Sequence, residues 1–210
     1  MAMRLDLETR LVVPEARLAV RSMPRWWLVG AAVLTIGGLV AGPATRTGWL
    51  AAAFLWPALA WSGLATRDRA QGLSALLHAT PRPLARQLPA VVLAGWLVGL
   101  AGVGGGILGR LFAGDAAGAV ATLAGSLAVP AIAVALGILS GGPRLFEGLY
   151  VSAWYLGPLQ HAWPLDFAAI DPRAVAAAVP WLALLLSLPL LAAAVAAERR
   201  RRDAGTARFA

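Results

Sequence analysis

Side chains able to do acid-base or nucleophilic chemistry are few in this sequence and thinly spread. Ten acidic residues, two histidines and no cysteine stand among 210 residues. The nearest thing to a reactive constellation is Glu147, His161 and Asp166. A membrane-embedded enzyme would use these three, but they straddle a predicted helix and its broken end, and no motif fixes their geometry. His78 and His161 each lack a carboxylate or second histidine at metal or triad spacing, so no metal site and no catalytic triad is expected. Without cysteine there are no disulfides, thiolate metal sites or thiol nucleophiles. All 18 basic residues are arginine. The absence of lysine removes both the phosphate-cradle lysine and the Schiff base, so ATP binding through a P-loop and pyridoxal chemistry are excluded. No cofactor is expected.

The charges that remain are placed to orient a chain in a bilayer. Hydrophobic residues make up 60% of the sequence and charged ones 13%, with a mean hydropathy of +0.73; a soluble domain is roughly half apolar and a quarter charged. The net charge of +8 and pI near 11.6 would suggest nucleic acid if the arginines formed a stripe on a soluble face. They lie between apolar runs instead, so no nucleic-acid partner is expected. The richness in alanine and arginine hints at a GC-rich bacterial genome.

Crossing the hydrocarbon takes about 20 apolar residues, which predicts spans over 26–42, 48–66, 89–112, 116–140 and 174–197. The stretch 144–163 is weaker because it holds Arg144, Glu147, Gln160 and His161. Arginine asymmetry decides whether it crosses, since cytoplasmic loops collect basic residues. With six crossings, 15 arginines lie inside and only Arg46, Arg110 and Arg173 outside. The expected fold is therefore an all-α integral membrane bundle of about six transmembrane helices, with 144–163 a short or re-entrant fifth element and both termini cytoplasmic. Residues 1–25 read as an amphipathic interfacial helix, 26–197 as the membrane domain, and 198–210 as a basic cytoplasmic tail. Trp26, Trp27, Trp49 and Trp163 fall near proposed span ends, where indoles favour the interface.

Within the third span, Gly104, Gly106 and Gly109 match G-x-G-x-x-G, a dinucleotide signature in a soluble strand-turn-helix. Inside an apolar span the reading is helix packing. Gly95 and Gly99, Gly102 and Gly106, and Gly105 and Gly109 are each four apart, the spacing that lets membrane helices approach closely. Arg144 and Glu147 lie three apart and are expected to form an ion pair near the interface. Gly157, Pro158 and Pro164 break the fifth element toward its outer end, favouring a re-entrant turn there.

The loop TRDRAQGLSALLHATPRPLARQLP (66–89) opens with charge, then sets Leu73, Leu76 and Leu77 at helical spacing before Pro81 and Pro83. A short amphipathic helix with this stripe suits either the lipid headgroups or a groove on a motor subunit.

Two segments together resemble the permease subunits of type 2 ATP-binding-cassette (ABC) transporters. One is WPALAWSGLATRDRAQGLSALLHATPRPLARQLPA (56–90), similar to the family's span, charged turn, coupling helix and proline. The other is ALGILSGGPRLFEGLYVSAWYLGPLQHAWPLDF (135–167), which resembles a bacterial branch in which R-L-F-E, W-Y-L-G-P-L and L-D-F recur in order. The resemblance implies a coupling helix carrying Arg67, Asp68, Arg69, Gly72, Leu76, Leu77 and Pro81, with Asp68 where the family more often has Glu. It implies a fifth element and hairpin marked by Arg144, Phe146, Glu147, Trp154, Tyr155, Gly157, Pro158, Asp166 and Phe167. It further implies a non-catalytic exporter subunit in a bacterial inner membrane, paired with a second permease chain and with cytoplasmic ABC ATPase subunits. Helix packing is expected through Gly95, Gly99, Gly102, Gly106 and Gly109. An anchoring or assembly protein is the remaining alternative to the transporter and the enzyme.

Overall fold

The computed structural model describes residues 23–64 and 83–206. Residues 1–22 of the segment expected as an amphipathic helix, and the loop residues Arg67, Asp68, Arg69, Gly72, Leu76, Leu77 and Pro81, lie outside the described residues. Among the described residues every regular element is helical: α1 (Arg25–Val40), α2 (Pro43–Leu55), α3 (Ala58–Ser62), α4 (Pro83–Phe112), α5 (Ala116–Ser140), α6 (Arg144–Trp154), α7 (Pro172–Ala176) and α8 (Val179–Thr206). A π turn, Tyr155–Leu159, continues α6, and a 3-10 turn, Trp163–Leu165, precedes α7.

Proline explains where these elements stop. Pro57 has no N–H to offer the Ala53 carbonyl, so the stretch expected as one span over 48–66 breaks after Leu55. Pro158 likewise cannot donate to Trp154, and the chain widens into the π turn, in which Gln160 N–H reaches back to the Tyr155 carbonyl (2.9 Å). The last expected span, 174–197, divides into α7 and α8 at Ala177 and Ala178, the latter with φ of 55°, just ahead of Pro180.

Among the described residues, three helices are long and apolar enough to cross a membrane: Leu88–Phe112, Ala116–Ser140 and Val179–Arg201. The packing has the logic of a membrane protein, with small residues inside and large ones outside. Buried on α5 are Gly118, Ala121, Gly125, Ala128, Ala131 and Ala135 among others, whereas Val29, Val33, Ile36 and Val40 form an exposed stripe on α1 and Leu182, Leu185, Leu186 and Leu188 on α8. Faces of this kind are untenable in water and suit acyl chains. α5 is central: 72% of its apolar window is buried in protein against 22% for α8.

The long helices stand in a row, α1 against α4, α4 against α5 and α5 against α8, while α2, α3 and α6 pack across them. α4 meets α1 through glycine. A Cβ on Gly105 would overlap the Thr35 carbonyl, one on Gly109 would lie 2.6 Å from the Gly38 oxygen, and one on Gly38 would lie 2.8 Å from the Gly106 nitrogen. Gly95 and Gly99 make room for Leu64 and the Trp61 indole, and Gly102 faces the Ala53 carbonyl. At the far end of the row, Arg201 on α8 donates to the Ile138 and Leu139 carbonyls (both 3.0 Å), the orphan acceptors of the α5 terminus.

Candidate functional site

α6 and its broken continuation form the part of the bundle least like an ordinary span. The sixteen residues from Arg144 to Leu159 rise about 24 Å at helical pitch, less than the roughly 30 Å hydrocarbon thickness. α6 is held along one face by two hydrogen bonds to carbonyls of α2. The Tyr150 hydroxyl donates to the Phe54 carbonyl (2.7 Å) and the Trp154 indole to the Ala51 carbonyl (2.8 Å). Phe54 is among the last four residues of α2, whose carbonyls have no intrahelical donor. Around Tyr150 gathers an aromatic core: Phe146 stacks on it at 5.2 Å, Phe167 tilts against it at 5.6 Å and Trp61 meets it edge-on at 5.8 Å. Removing the hydroxyl in Tyr150→Phe leaves the ring in place and the Phe54 carbonyl buried without a donor. Thermal unfolding in detergent is expected to show a loss of about 1–2 kcal/mol.

Beyond the π turn the chain doubles back into the bundle. Residues 166–170 are all buried. Two glycines let the backbone in, since a Cβ on Gly125 of α5 would overlap the Phe167 carbonyl and one on Gly157 the Leu165 carbonyl. Thr122 on α5 donates to its own helix at Gly118 (2.8 Å) and lies 3.3 Å from the Ala168 carbonyl. Ala169 takes a φ of 61°, a left-handed conformation costly for a residue with a side chain, and its carbonyl is turned toward α4.

That carbonyl is gripped by Arg110, the buried last-turn arginine of α4. Its guanidinium donates to the Ala169 carbonyl (2.6 Å) and to Asp115 Oδ2 (3.0 Å). Asp115 in turn caps α5, accepting from the Gly118 amide (2.8 Å). The turn joining α4 to α5 is built for this: Gly114 (φ 79°) closes a Schellman motif in which the Asp115 amide donates to the Arg110 carbonyl and the Gly114 amide to that of Leu111. One arginine thus ties two helices to the buried 166–170 loop. Asp166, 0% exposed, sits behind it, accepting from the Asp171 amide (2.6 Å). Among the described residues, the buried side-chain atoms without a hydrogen-bond partner are Arg46 Nε, Arg110 Nε and Asp166 Oδ1, all at this end of the bundle.

Burial pushes the Asp166 carboxyl above its ordinary 3.8, opposed by the backbone amides of Asp171, Ile170 and Ala168. A carboxyl with a raised folded pKa holds its proton more tightly when folded. Its contribution is complete below the unfolded value and is lost as pH rises through the folded one. Asp171 has the opposite sign, because hydrogen bonds from Arg173 hold it below 3.8, and its small exposed contribution is lost only on further acidification. Stability is therefore expected to fall as pH climbs upward from about 4. Asp166→Asn, which keeps an acceptor for the Asp171 amide, should flatten that fall in thermal melts.

The remaining residues singled out in the sequence divide between these structures and the surface. Phe146, Gly157, Pro158, Asp166 and Phe167 are buried; Arg144 and Tyr155 are exposed; Glu147 and Trp154 are half-buried. The expected ion pair between Arg144 and Glu147 does not form, and Glu147 has no hydrogen-bonding or charged partner among the described residues. The two side chains point apart, one to the surface and one into a cleft lined by Trp26, Trp56 and Tyr150. Glu147, His161 and Asp166 are not brought together. Glu147 is about 18 Å along the helix from the π turn's end, His161 is exposed, and Asp166 is enclosed by its own loop. No cluster of metal-ligating side chains occurs among the described residues. Arg110 and Asp115 went unnoticed as a pair in the sequence, although a lone arginine in the last turn of an apolar span five residues before an acid is a legible signal.

Comparison of the chain with protein-family models, with curated proteins and with solved structures finds no match.

Proposed function

We propose that this chain is the membrane-spanning subunit of an ATP-driven exporter of the type 2 ABC class, working with a second permease chain and cytoplasmic ATPase subunits in a bacterial inner membrane. The observation that carries the reading is the fifth element: a helix too short to span, broken at Gly157 and Pro158, whose outer return is buried among the other helices. Irregular backbone at that depth is tolerated only where protein or a water cavity satisfies it, and such broken elements suit a path that opens and closes. The segments with the type 2 permease resemblance include this one. With no lysine for a nucleotide cradle, the engine belongs to another chain. The loop over 66–88, on the arginine-rich side, is the place for it to dock. In this scheme both termini are cytoplasmic, six elements cross or enter the bilayer, and closure of the motors moves the spans through that loop.

Co-purification with an ATPase encoded beside this chain tests the reading. The wild-type complex is expected to hydrolyse ATP in a manner stimulated by the permease. Leu76→Asp with Leu77→Asp is expected to lower recovery of the ATPase at least tenfold while the permease still folds. An intact, normally active complex in the double variant would remove the coupling role.

A further inference from the structure

Two clefts of similar size flank α6, and they differ in one respect. The cleft between α5, α6 and α8, about 360 Å³, is lined by apolar and aromatic side chains without a charge, among them Ile132, Leu136, Leu149 and Leu190. That is the lining expected of a crevice filled by an acyl chain. The other, about 390 Å³, lies between α1, the break before α3, and α6; its walls include Trp26, Trp27, Trp56, Phe146 and Tyr150, and a single carboxylate, Glu147. Both are of ligand-site dimensions.

Two of the three indoles of the second cleft have their N–H groups already occupied. The Trp27 N–H donates to the Trp56 carbonyl (3.3 Å) and the Trp56 N–H to the Trp27 carbonyl (3.0 Å), a reciprocal pair that locks α1 to the Trp56–Pro57 break. The Tyr150 hydroxyl is spent on Phe54. Trp26 stands edge-on to Trp56 at 5.8 Å and 88°. Apart from the Trp26 N–H, what these rings offer an occupant is π surface, whose negative face attracts cations. Glu147 adds a carboxylate that neither Arg144 nor any other described residue pairs. A neutral acyl chain would leave it desolvated without compensation, and an anion would be repelled. A small hydrated metal ion would make no use of the aromatic walls. Leu55, Leu59 and Val151, all exposed, form an apolar rim through which a ligand would enter from the lipid.

We infer that this cleft binds a hydrophobic organic monocation, its charge beside Glu147 and its apolar body among Trp26, Trp56 and Tyr150. The inference deepens the exporter reading by assigning a class of cargo, but binding itself requires no ATPase. The test is equilibrium binding of radiolabelled tetraphenylphosphonium to the full chain in phosphatidylcholine nanodiscs, with tetraphenylborate as the same shape bearing the opposite charge. The expected result is saturable binding of the phosphonium near one per chain, weakened roughly ten- to a hundredfold by Glu147→Gln. Leu59→Trp, which fills the mouth without removing a wall, should block it. Tetraphenylborate should show only linear partition into lipid. Equal affinity in Glu147→Gln, saturable binding of both ions alike, or no saturable phosphonium binding by a chain whose helical spectrum and melting are normal would each overturn the site. A chain that binds the phosphonium yet never associates with an ATPase would keep the site and remove the exporter reading; association without binding would do the reverse.

Discussion

Replacing Arg110 by methionine is expected to lower the unfolding free energy by about 3 kcal/mol and to loosen the 160–171 loop before the rest of the bundle. Methionine approximates the length and packing of the arginine stem, so the loss isolates the guanidinium. Three connections go with it: the ion pair to Asp115, the hydrogen bond to the Ala169 carbonyl, and a positive charge that interacts with buried Asp166. Asp115, about half exposed, can turn to water. The Ala169 carbonyl and Asp166 cannot, because both residues are buried, and an orphaned buried acceptor bears its full desolvation cost. Ala169 also holds a left-handed backbone that is worth adopting only while its carbonyl has this donor. Thermal unfolding in detergent gives the magnitude, and limited proteolysis shows whether the loop opens first. Arg110→Lys is the informative control. A lysine keeps the charge but presents one compact ammonium in place of a fork, so it can serve Asp115 or Ala169 well but not both. It should recover less than half of the loss. A methionine variant as stable as the wild type, with an unchanged loop, would show that the clasp does not hold the return of the hairpin.

A comparably large effect, and a cleaner contrast, is expected from adding one methyl group to neighbouring glycines of α4. Gly105→Ala would drive a Cβ into the Thr35 backbone carbonyl, which cannot rotate away as a side chain would. α1 and α4 must separate, or one of them bend. Separation also loosens the contacts of Gly109 with the Gly38 carbonyl and of Gly38 with the Gly106 amide, and it stretches the hydrogen bond from the Thr35 hydroxyl to the Ala101 carbonyl. In a bilayer no hydrophobic force compensates for lost contact between helices, since lipid is as apolar as the partner. The expected destabilisation is about 2–3 kcal/mol. Gly104→Ala adds the same atom one residue earlier into open space. With nothing to strike, it should be neutral or slightly stabilising, by up to about 1 kcal/mol, because alanine loses less backbone entropy in a helix than glycine. Parallel melts of the two variants provide the check. Equal behaviour would mean that α1 and α4 do not meet along this face.

The glycines illustrate what a pattern on paper can and cannot convey. Spacing of four marks a helix face suited to close approach, and Gly95, Gly99, Gly102, Gly106 and Gly109 all line contacts with α1, α2 or α3 residues or their connections. Spacing does not say which neighbour is met by backbone and which by side chain. Gly105 and Gly109 carry the tightest backbone meetings between α4 and α1, whereas Gly106 and Gly95 meet leucine tips that can move. The second expected span shows the complementary failure. Hydropathy over 48–66 runs on through Trp56 and Pro57 because it is blind to a missing amide hydrogen, and the break there exposes the carbonyls that Tyr150 and Trp27 use. The pair expected between Arg144 and Glu147 rested on helical spacing alone. Spacing places both on adjoining turns but does not weigh solvent against a cleft, and Arg144 takes the surface.

Composition and hydropathy by themselves determined that this is a helical membrane chain without cysteine, lysine or a metal-ligating motif, because these are properties of residue type and of runs longer than any turn. They also marked 144–163 as the anomalous stretch, since polar residues and helix breakers inside an apolar region are visible one at a time. Tertiary structure alone decided that the return of that stretch is buried, that Arg110 ties it to α4 and α5 through Ala169 and Asp115, and that Glu147 stands beside Trp26 and Trp56 with no partner among the described residues. Each of these depends on groups far apart in the chain meeting with particular orientation. Arg110 and Ala169 are separated by 59 residues, and whether an arginine at a helix end reaches water, lipid or a buried carbonyl is set by what the fold brings beside it.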